Sequence, residues 1–189
     1  MKRYSKILIL AGAYVLVLLA MFILLFYSVP GYSLVRNTLS QLGAQVTPNA
    51  WIMNFIFISL GIGSITAGWN YNKKFVFHRI YLFIFGASLV FTAFFNHAPL
   101  SPEIQYNLVE DGWHSYFACS TGLPFTILAI TTSYILEKKT DKMLGITTGI
   151  SVIILSILMF EADQFKGIWQ RLIFIISFGW MIWNYYQAK

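Results

Sequence analysis

Charged side chains are scarce in this chain of 189 residues: Lys, Arg, Asp and Glu together make up 11% of it, whereas a soluble domain has about a quarter. So few charges cannot cover the surface of a soluble globule. The single cysteine, Cys119, excludes an internal disulfide, and its apolar neighbours favour a small buried core residue over a reactive thiol. A soluble globule, a disordered chain and a disulfide-stapled secreted domain are therefore excluded.

Long apolar stretches fill the chain instead, since 58% of its residues are hydrophobic. A helix needs about 20 apolar residues to cross a bilayer, and no stretch alternates with the period of two that a barrel strand requires. Two of the stretches are short, so their helices are expected to extend into the polar flanks. We predict an all-α membrane protein with one domain, 1–189, and six transmembrane helices. The predicted spans are 7–29, 51–69, 80–95, 116–136, 143–160 and 172–186.

Basic residues divide unequally between the two sides of this map. One side has only Arg36, Lys166 and Arg171. Because cytoplasmic loops are rich in Lys and Arg, both termini are expected in the cytoplasm and the loops 30–50, 96–115 and 161–171 outside. The net charge of +6 is then a consequence of topology, and no nucleic-acid partner is expected. The basic residues on the other side are Lys2, Arg3, Lys6, Lys73, Lys74, Arg79, Lys138, Lys139, Lys142 and Lys189.

Small and polar residues share faces of three predicted helices, and such faces pack against other helices. Each face leads to an ionisable group at the predicted outer surface: His97, then Asp111 with His114, then Asp163 if the fifth helix continues past Phe160. This convergence predicts a polar pocket that opens outward. The alternative is that these are ordinary interfacial residues. The faces are Gly86 and Ala93; Ser115, Gly122, Thr126, Ala129 and Ser133; and Gly145, Gly149, Val152 and Ser156.

Several short motifs carry a family resemblance. They are Asn37-Thr38-Leu39-Ser40-Gln41-Leu42-Gly43, Pro48, Trp51-Ile52-Met53-Asn54-Phe55, Phe95-Asn96-His97, the segment around His114, Gly167-Ile168-Trp169-Gln170-Arg171 and Trp183. Their order resembles the prokaryotic six-span membrane proteins catalogued as domain of unknown function 998. The resemblance implies six helices in a prokaryotic plasma membrane and no particular activity. It adds Ser40, Asn54, His114 and Arg171 as matching outer-face positions. The ending at His97 departs from the proline-containing ending associated with that family.

The main functional hypothesis is a membrane protein that binds or moves a lipid, small solute or ion through the outward pocket. Its expected partners are membrane lipids and a lipid or small-molecule ligand, with Ser40, Asn54 and Arg171 as ligand-binding residues. Arg171 is expected either to anchor a headgroup or to pair with Glu161 and Asp163. The absence of a strongly charged residue at mid-membrane argues against an ion pump.

The alternative hypothesis is a zinc-dependent hydrolase that acts on a lipid-like substrate at the outer leaflet. Two histidines and a carboxylate can bind catalytic zinc, so His97, Asp111 and His114 are the predicted metal ligands. Ser40 would support the bound water or the oxyanion, and Glu161 or Asp163 would be the base. No H-E-x-x-H signature supports this activity. A heme with His97 and His114 as axial ligands is a further alternative.

Overall fold

A computed structural model describes residues 2–187 and has no strand among them, which confirms the all-α prediction. A short 3-10 helix, Leu24–Tyr27, continues the first helix, and another, Asp163–Phe165, precedes the last. The α-helices are α1 (Lys2–Ile23), α2 (Leu39–Leu42), α3 (Ala50–Trp69), α4 (Val76–Phe94), α5 (Leu108–Ile135), α6 (Lys139–Glu161) and α7 (Lys166–Gln187).

Five helical segments within residues 2–187 are long and apolar enough to cross a membrane: Ser5–Tyr27, α3, α4, α5 and α6. The chain is thus a multi-pass membrane protein. The sixth predicted span also exists as a helix of 22 residues, α7. It is more polar than the others because it includes Gln170, Arg171 and Asn184. Six spans and two cytoplasmic termini stay predictions.

The start of α5 and the end of α6 differ from the limits that the sequence analysis predicted. α5 starts at Leu108, well before the predicted span, because the Asn107 side chain accepts from the backbone N–H groups of Val109 and Glu110 at 3.0 and 3.2 Å. α6 ends at Glu161, so the expected continuation of its face to Asp163 is wrong. α4 begins at Val76 and α7 at Lys166, which confirms that the helices of the two short spans extend into their polar flanks.

The six long helices form a closed ring in chain order, with α7 packed against α1. Successive helices alternate in direction, so one end of the ring holds both the start of α1 and the end of α7. We name the opposite end the distal end; it consists of residues 24–50, 95–107 and 162–166. The centre of the ring is filled by aromatic side chains, chiefly Phe57, Phe85, Phe125, Phe178 and Trp180, all of which are buried.

Two glycines of α6 hold it close to α5 in the half of the bundle near the termini. A Cβ on Gly149 would lie 2.6 Å from Cγ1 of Ile130, and one on Gly145 would collide with the hydroxyl of Ser133. Both glycines are buried. The predicted close packing of this glycine face is therefore confirmed, and it fixes where α5 and α6 meet.

Candidate functional site

A cavity of about 460 Å³ occupies the distal half of the ring between α4, α5, α6 and α7. Its inner wall is mainly phenylalanine. Only a few polar groups reach it, and those nearest the distal end are Ser40, Thr92 and Gln170. The cavity is therefore an apolar chamber with a polar rim at its distal end. The phenylalanines of the wall are Phe57, Phe85, Phe125, Phe174 and Phe178.

This chamber opens sideways, between the distal halves of α5 and α6. Cys119 and Leu123 on α5, and Ile157 and Phe160 on α6, line the cavity and are also exposed on the bundle surface. Gly122 lies between the two α5 residues, and a Cβ there would meet nothing within 4 Å. Because these residues belong to membrane-crossing segments, the opening faces the hydrocarbon region of a bilayer.

Cys119 corrects one expectation. The apolar sequence around it favoured a buried core position, but the side chain is exposed at the opening of the cavity. In a membrane helix, apolar neighbours occur on lipid-facing and on inward-facing sides alike, so local hydropathy does not determine burial.

Two histidines and an aspartate meet at the distal end, as the sequence predicted. Nδ1 of His97 lies 2.7 Å from Oδ1 of Asp111, and the same oxygen accepts from the backbone N–H of Ala98 at 2.7 Å. The rings of His97 and His114 stack with their centroids 5.0 Å apart and an interplanar angle of 25°. We name His97, Asp111 and His114 the distal histidine cluster.

His114 connects this cluster to the cavity. Its Nδ1 lies 2.9 Å from the carbonyl oxygen of Thr92 and 2.7 Å from that of Phe95. Both partners are acceptors only, so Nδ1 carries the proton and Nε2 is the free nitrogen of the neutral ring. Thr92 also lines the cavity, and so does Ala118, one helical turn after His114 on α5. The buried imidazole thus lies next to the polar rim.

The cluster supplies fewer metal ligands than the zinc hypothesis requires. Asp111 holds Nδ1 of His97, and carbonyls hold Nδ1 of His114, so two imidazole Nε2 atoms remain. Catalytic zinc has three protein ligands. Among residues 2–187, no group of three or more His, Cys, Asp or Glu side chains is arranged to hold a metal ion.

Asn54 joins the distal loops to one another. Its Nδ2 donates to Oδ1 of Asn96 at 2.7 Å and to the carbonyl of Gly43 at 3.3 Å. Gln45 completes this connection, since its amide donates to the carbonyls of Asn96 and Asn107 at 3.1 and 3.0 Å. The predicted ligand-binding residue Asn54 therefore has a loop-positioning role in this geometry.

Arg171 holds the first loop, and no carboxylate in the part of the chain that the structure describes forms an ion pair with it. Its Nη1 donates to the carbonyls of Leu34, Asn37 and Gly167, each at 2.8 Å, and Nη2 donates to the Tyr32 hydroxyl at 2.8 Å. The side chain is only 4% exposed. Both Nη atoms are thus engaged within the protein, and within residues 2–187 Arg171 pairs with neither Glu161 nor Asp163.

Tyr32 is the hydroxyl partner of that arginine. Burial raises the pKa of the Tyr32 phenol, and the Arg171 guanidinium partly offsets this shift. The hydroxyl therefore stays protonated at neutral pH, and it donates to the carbonyl of Thr38 at 2.9 Å. Tyr32 and Arg171 together fix the loop segment that leads into α2.

The other predicted catalytic residues are not brought together. Ser40 is buried in α2 and lines the cavity. Glu161 and Asp163 are exposed near the α6–α7 connection, and neither forms an ion pair within the described part of the chain. Ser40 thus borders the cavity, but neither Glu161 nor Asp163 is positioned as a base beside it.

The site also contains residues that the sequence analysis did not single out. Gln170 lines the cavity, and its Oε1 accepts from the backbone N–H of Leu39 at 2.6 Å. Its position beside Arg171 in a recognised motif was the available signal. The sequence contained no signal for the phenylalanines of the wall, because their helical spacing is the same as that of any packed core.

Comparison with known proteins gives one match. A family model described as "Protein of unknown function (DUF998)" matches residues 10–184. Neither a curated protein nor a solved structure matches the chain. The matched segment contains α3 to α6 in full together with most of α1 and α7, including every residue of the distal histidine cluster and of the cavity wall. The chain therefore belongs to the DUF998 family of membrane proteins.

Proposed function

We propose that the protein binds a lipid-like amphiphile, with the acyl chain in the cavity and the headgroup at the distal histidine cluster. The cavity carries this proposal. Its volume of about 460 Å³ lies within the range of roughly 300–1,000 Å³ that is typical of ligand sites. Its wall of phenylalanines suits a hydrocarbon chain and would not solvate an ion.

The position of the opening supports entry from the membrane. Leu123 and Ile157 flank it and are exposed where the helices cross the bilayer. An acyl chain could then enter sideways without crossing water. Of the three cargo classes that the sequence left open, a lipid agrees best with a side entrance and an apolar wall.

Headgroup recognition rests on the free nitrogens of the distal histidine cluster. Asp111 orients His97, and the carbonyls of Thr92 and Phe95 orient His114, which leaves one Nε2 on each ring for a ligand. A neutral imidazole Nε2 accepts a hydrogen bond, and a protonated one donates. Hydroxyl-bearing or anionic headgroups are the matching chemistry. Arg171 acts at a distance from the ligand by fixing the loop that carries Ser40.

Filling the cavity tests the proposal. Gly122→Phe would place a ring in the chamber without a backbone clash, since a Cβ at Gly122 meets nothing within 4 Å. Gly112→Phe is the matched control, because Gly112 is also on α5 and also has open space around a Cβ, but does not line the cavity. Native mass spectrometry of the protein with stearate measures the fraction that carries ligand.

We expect the unmodified protein and Gly112→Phe to bind one stearate molecule per chain. In Gly122→Phe, most of the protein should carry no stearate. Equal binding by both variants would place the fatty acid on the lipid-facing surface and overturn the proposal. Absence of binding to the unmodified protein would overturn it as well.

The zinc-dependent hydrolase is the competing proposal. One observation favours it, since a carboxylate behind a histidine, as Asp111 lies behind His97, is common around zinc sites. The missing third ligand weighs against it. Elemental analysis after purification without chelator separates the two: stoichiometric zinc that is lost in His114→Ala would support the hydrolase.

A further inference from the structure

We infer that the headgroup bound at the distal histidine cluster is uncharged and carries neighbouring hydroxyl groups, as in a monoacylglycerol. The free Nε2 atoms of His97 and His114 accept from those hydroxyls, while Glu110 and Asp111 disfavour an anionic headgroup. This inference rests on the proposed function. Of the hydroxyl-bearing and anionic headgroups that imidazole nitrogens alone would accept, it selects the first.

His114 offers a buried nitrogen to the ligand. The residue is only 4% exposed, and its Nδ1 proton lies between the carbonyls of Thr92 and Phe95. Its Nε2 makes no hydrogen bond among the described residues but retains accessible surface, unlike Nε2 of His78, which is enclosed without a partner. An acceptor left unpaired in a buried ring is unfavourable. The free nitrogen of this neutral ring therefore requires a hydrogen-bond donor.

His97 supplies a second acceptor beside the first. Its ring stacks on His114 with centroids 5.0 Å apart, and Asp111 holds its Nδ1 at 2.7 Å. The His97 side chain is 30% exposed, so a headgroup can reach it from the distal end. In neutral rings both Nε2 atoms are acceptors. Hydroxyls on adjacent carbons present two donors to this pair, whereas an ionised carboxylate has none.

Two carboxylates flank the His97 segment. Oε1 of Glu110 accepts from the backbone N–H of Asn96 at 2.9 Å, and Oδ1 of Asp111 accepts from that of Ala98 at 2.7 Å. Protonation of His97 would set one positive charge against these two negative charges. With the buried His114 neutral, the cluster therefore repels an anionic headgroup in either state of His97.

No basic side chain offsets these carboxylates in the described part of the chain. The basic residues nearest the distal end are Arg36, Lys166 and Arg171. The one ion pair within residues 2–187 joins His97 to Asp111, and Arg171 directs both Nη atoms to the first loop and its own helix. A phosphate or carboxylate headgroup would thus find no free guanidinium at the cluster.

An ammonium headgroup is the competing class, because the same carboxylates would attract it. It would, however, bring a charge out of water beside a buried imidazole, and burying a charge costs far more than burying a hydroxyl. Hydroxyl groups satisfy both ring nitrogens without that cost. The cluster therefore favours the uncharged headgroup over either charged class.

Competition among three lipids with the same saturated chain tests the inference. The unmodified protein is mixed with equal amounts of monostearoylglycerol, stearate and stearylamine at about pH 8, where the acid and the amine are both charged. Native mass spectrometry measures how much protein carries each lipid. We expect monostearoylglycerol to bind about three- to tenfold more tightly than either charged lipid, as one net hydrogen bond predicts.

Two variants separate the charge from the acceptor. Glu110→Gln keeps an oxygen for the Asn96 N–H and removes one negative charge, so the preference over stearate should shrink while monostearoylglycerol binding persists. His97→Phe keeps a ring against His114 and removes one acceptor, so the preference over both charged lipids should fall. Glu103→Gln is the matched control, because it removes the same charge from an exposed loop position; its preference should equal that of the unmodified protein.

Equal binding of the three lipids by the unmodified protein would mean that water satisfies the ring nitrogens; it would overturn this inference and leave the proposed lipid binding intact. A preference for stearate or stearylamine would contradict it as well. So would a monostearoylglycerol preference that survives unchanged in both Glu110→Gln and His97→Phe. Binding of none of the three lipids would overturn the proposed function itself.

Discussion

Arg171 donates from Nη1 to the carbonyl oxygen of Asn37 at 2.8 Å, although 134 positions separate the two residues in the chain. Gly167, one turn earlier on α7, lets the first loop approach the helix backbone closely. Its N–H donates to the carbonyl of Val35 at 2.9 Å, and a Cβ on Gly167 would lie 2.5 Å from the carbonyl oxygen of Asn37. The start of α7 and the first loop thus form one unit. Through Ser40 and Gln170 this unit borders the cavity.

Replacing Arg171 by lysine should destabilise that unit. A lysine keeps the charge but has no planar fork to reach the carbonyls of Leu34 and Asn37 and the Tyr32 hydroxyl together. Hydrogen bonds to charged groups contribute about 1.5–3 kcal/mol each, so we expect unfolding in detergent several degrees lower. Arg36→Lys is the control, since Arg36 is exposed. Equal melting temperatures for the two variants would show that the guanidinium contacts do not stabilise the fold.

Replacing Asp111 by alanine should release the segment after α4. The substitution removes the acceptor of the His97 ring and of the Ala98 N–H, and an unpaired group of this kind costs about 1–3 kcal/mol when it is buried. Hydrogen–deuterium exchange should become faster at Ala98. Asp163→Ala, which alters an exposed aspartate, should leave that amide unchanged. Unchanged exchange in Asp111→Ala would contradict the prediction.

Replacing Gly149 by leucine should lower thermal stability in detergent. The added side chain would push against Ile130, and overpacking of this kind costs about 1–3 kcal/mol. Gly12→Leu is the matched control, because a Cβ at Gly12 meets nothing within 4 Å. Replacement of Ile154, which is exposed, should also have little effect. Similar losses at Gly149 and Gly12 would remove the packing explanation.

Membrane orientation can be measured by cysteine labelling in intact cells. With Cys119 replaced by alanine, a membrane-impermeant thiol reagent should label Gln105→Cys and spare Thr140→Cys, because basic residues concentrate on the side of Thr140. Both positions are exposed and lie at opposite ends of the bundle. The reverse labelling pattern would invert the topology and place the distal histidine cluster in the cytoplasm.

Much of the distal site followed from helix periodicity. His97 and His114 lie on faces with small residues, and the prediction that such faces turn toward neighbouring helices brought the two rings together. Periodicity could not give the partners of each ring nitrogen. Those depend on backbone carbonyls at the end of α4, such as that of Phe95, and backbone positions become known only once the helix end is placed.

The sequence by itself determined the six long helices and the membrane character of the chain, because hydropathy and the helical period are local properties that neighbouring residues fix. It also predicted that the Gly145 and Gly149 face of α6 packs against a neighbouring helix, since two glycines four residues apart let backbones approach closely; the structure identifies that helix as α5. Only the tertiary structure decided that Arg171 binds carbonyls, that Cys119 borders an opening and that Gln170 lines a cavity. Each of these depends on how far apart helices distant in sequence come to lie, and that spacing is set by the packing of the whole ring.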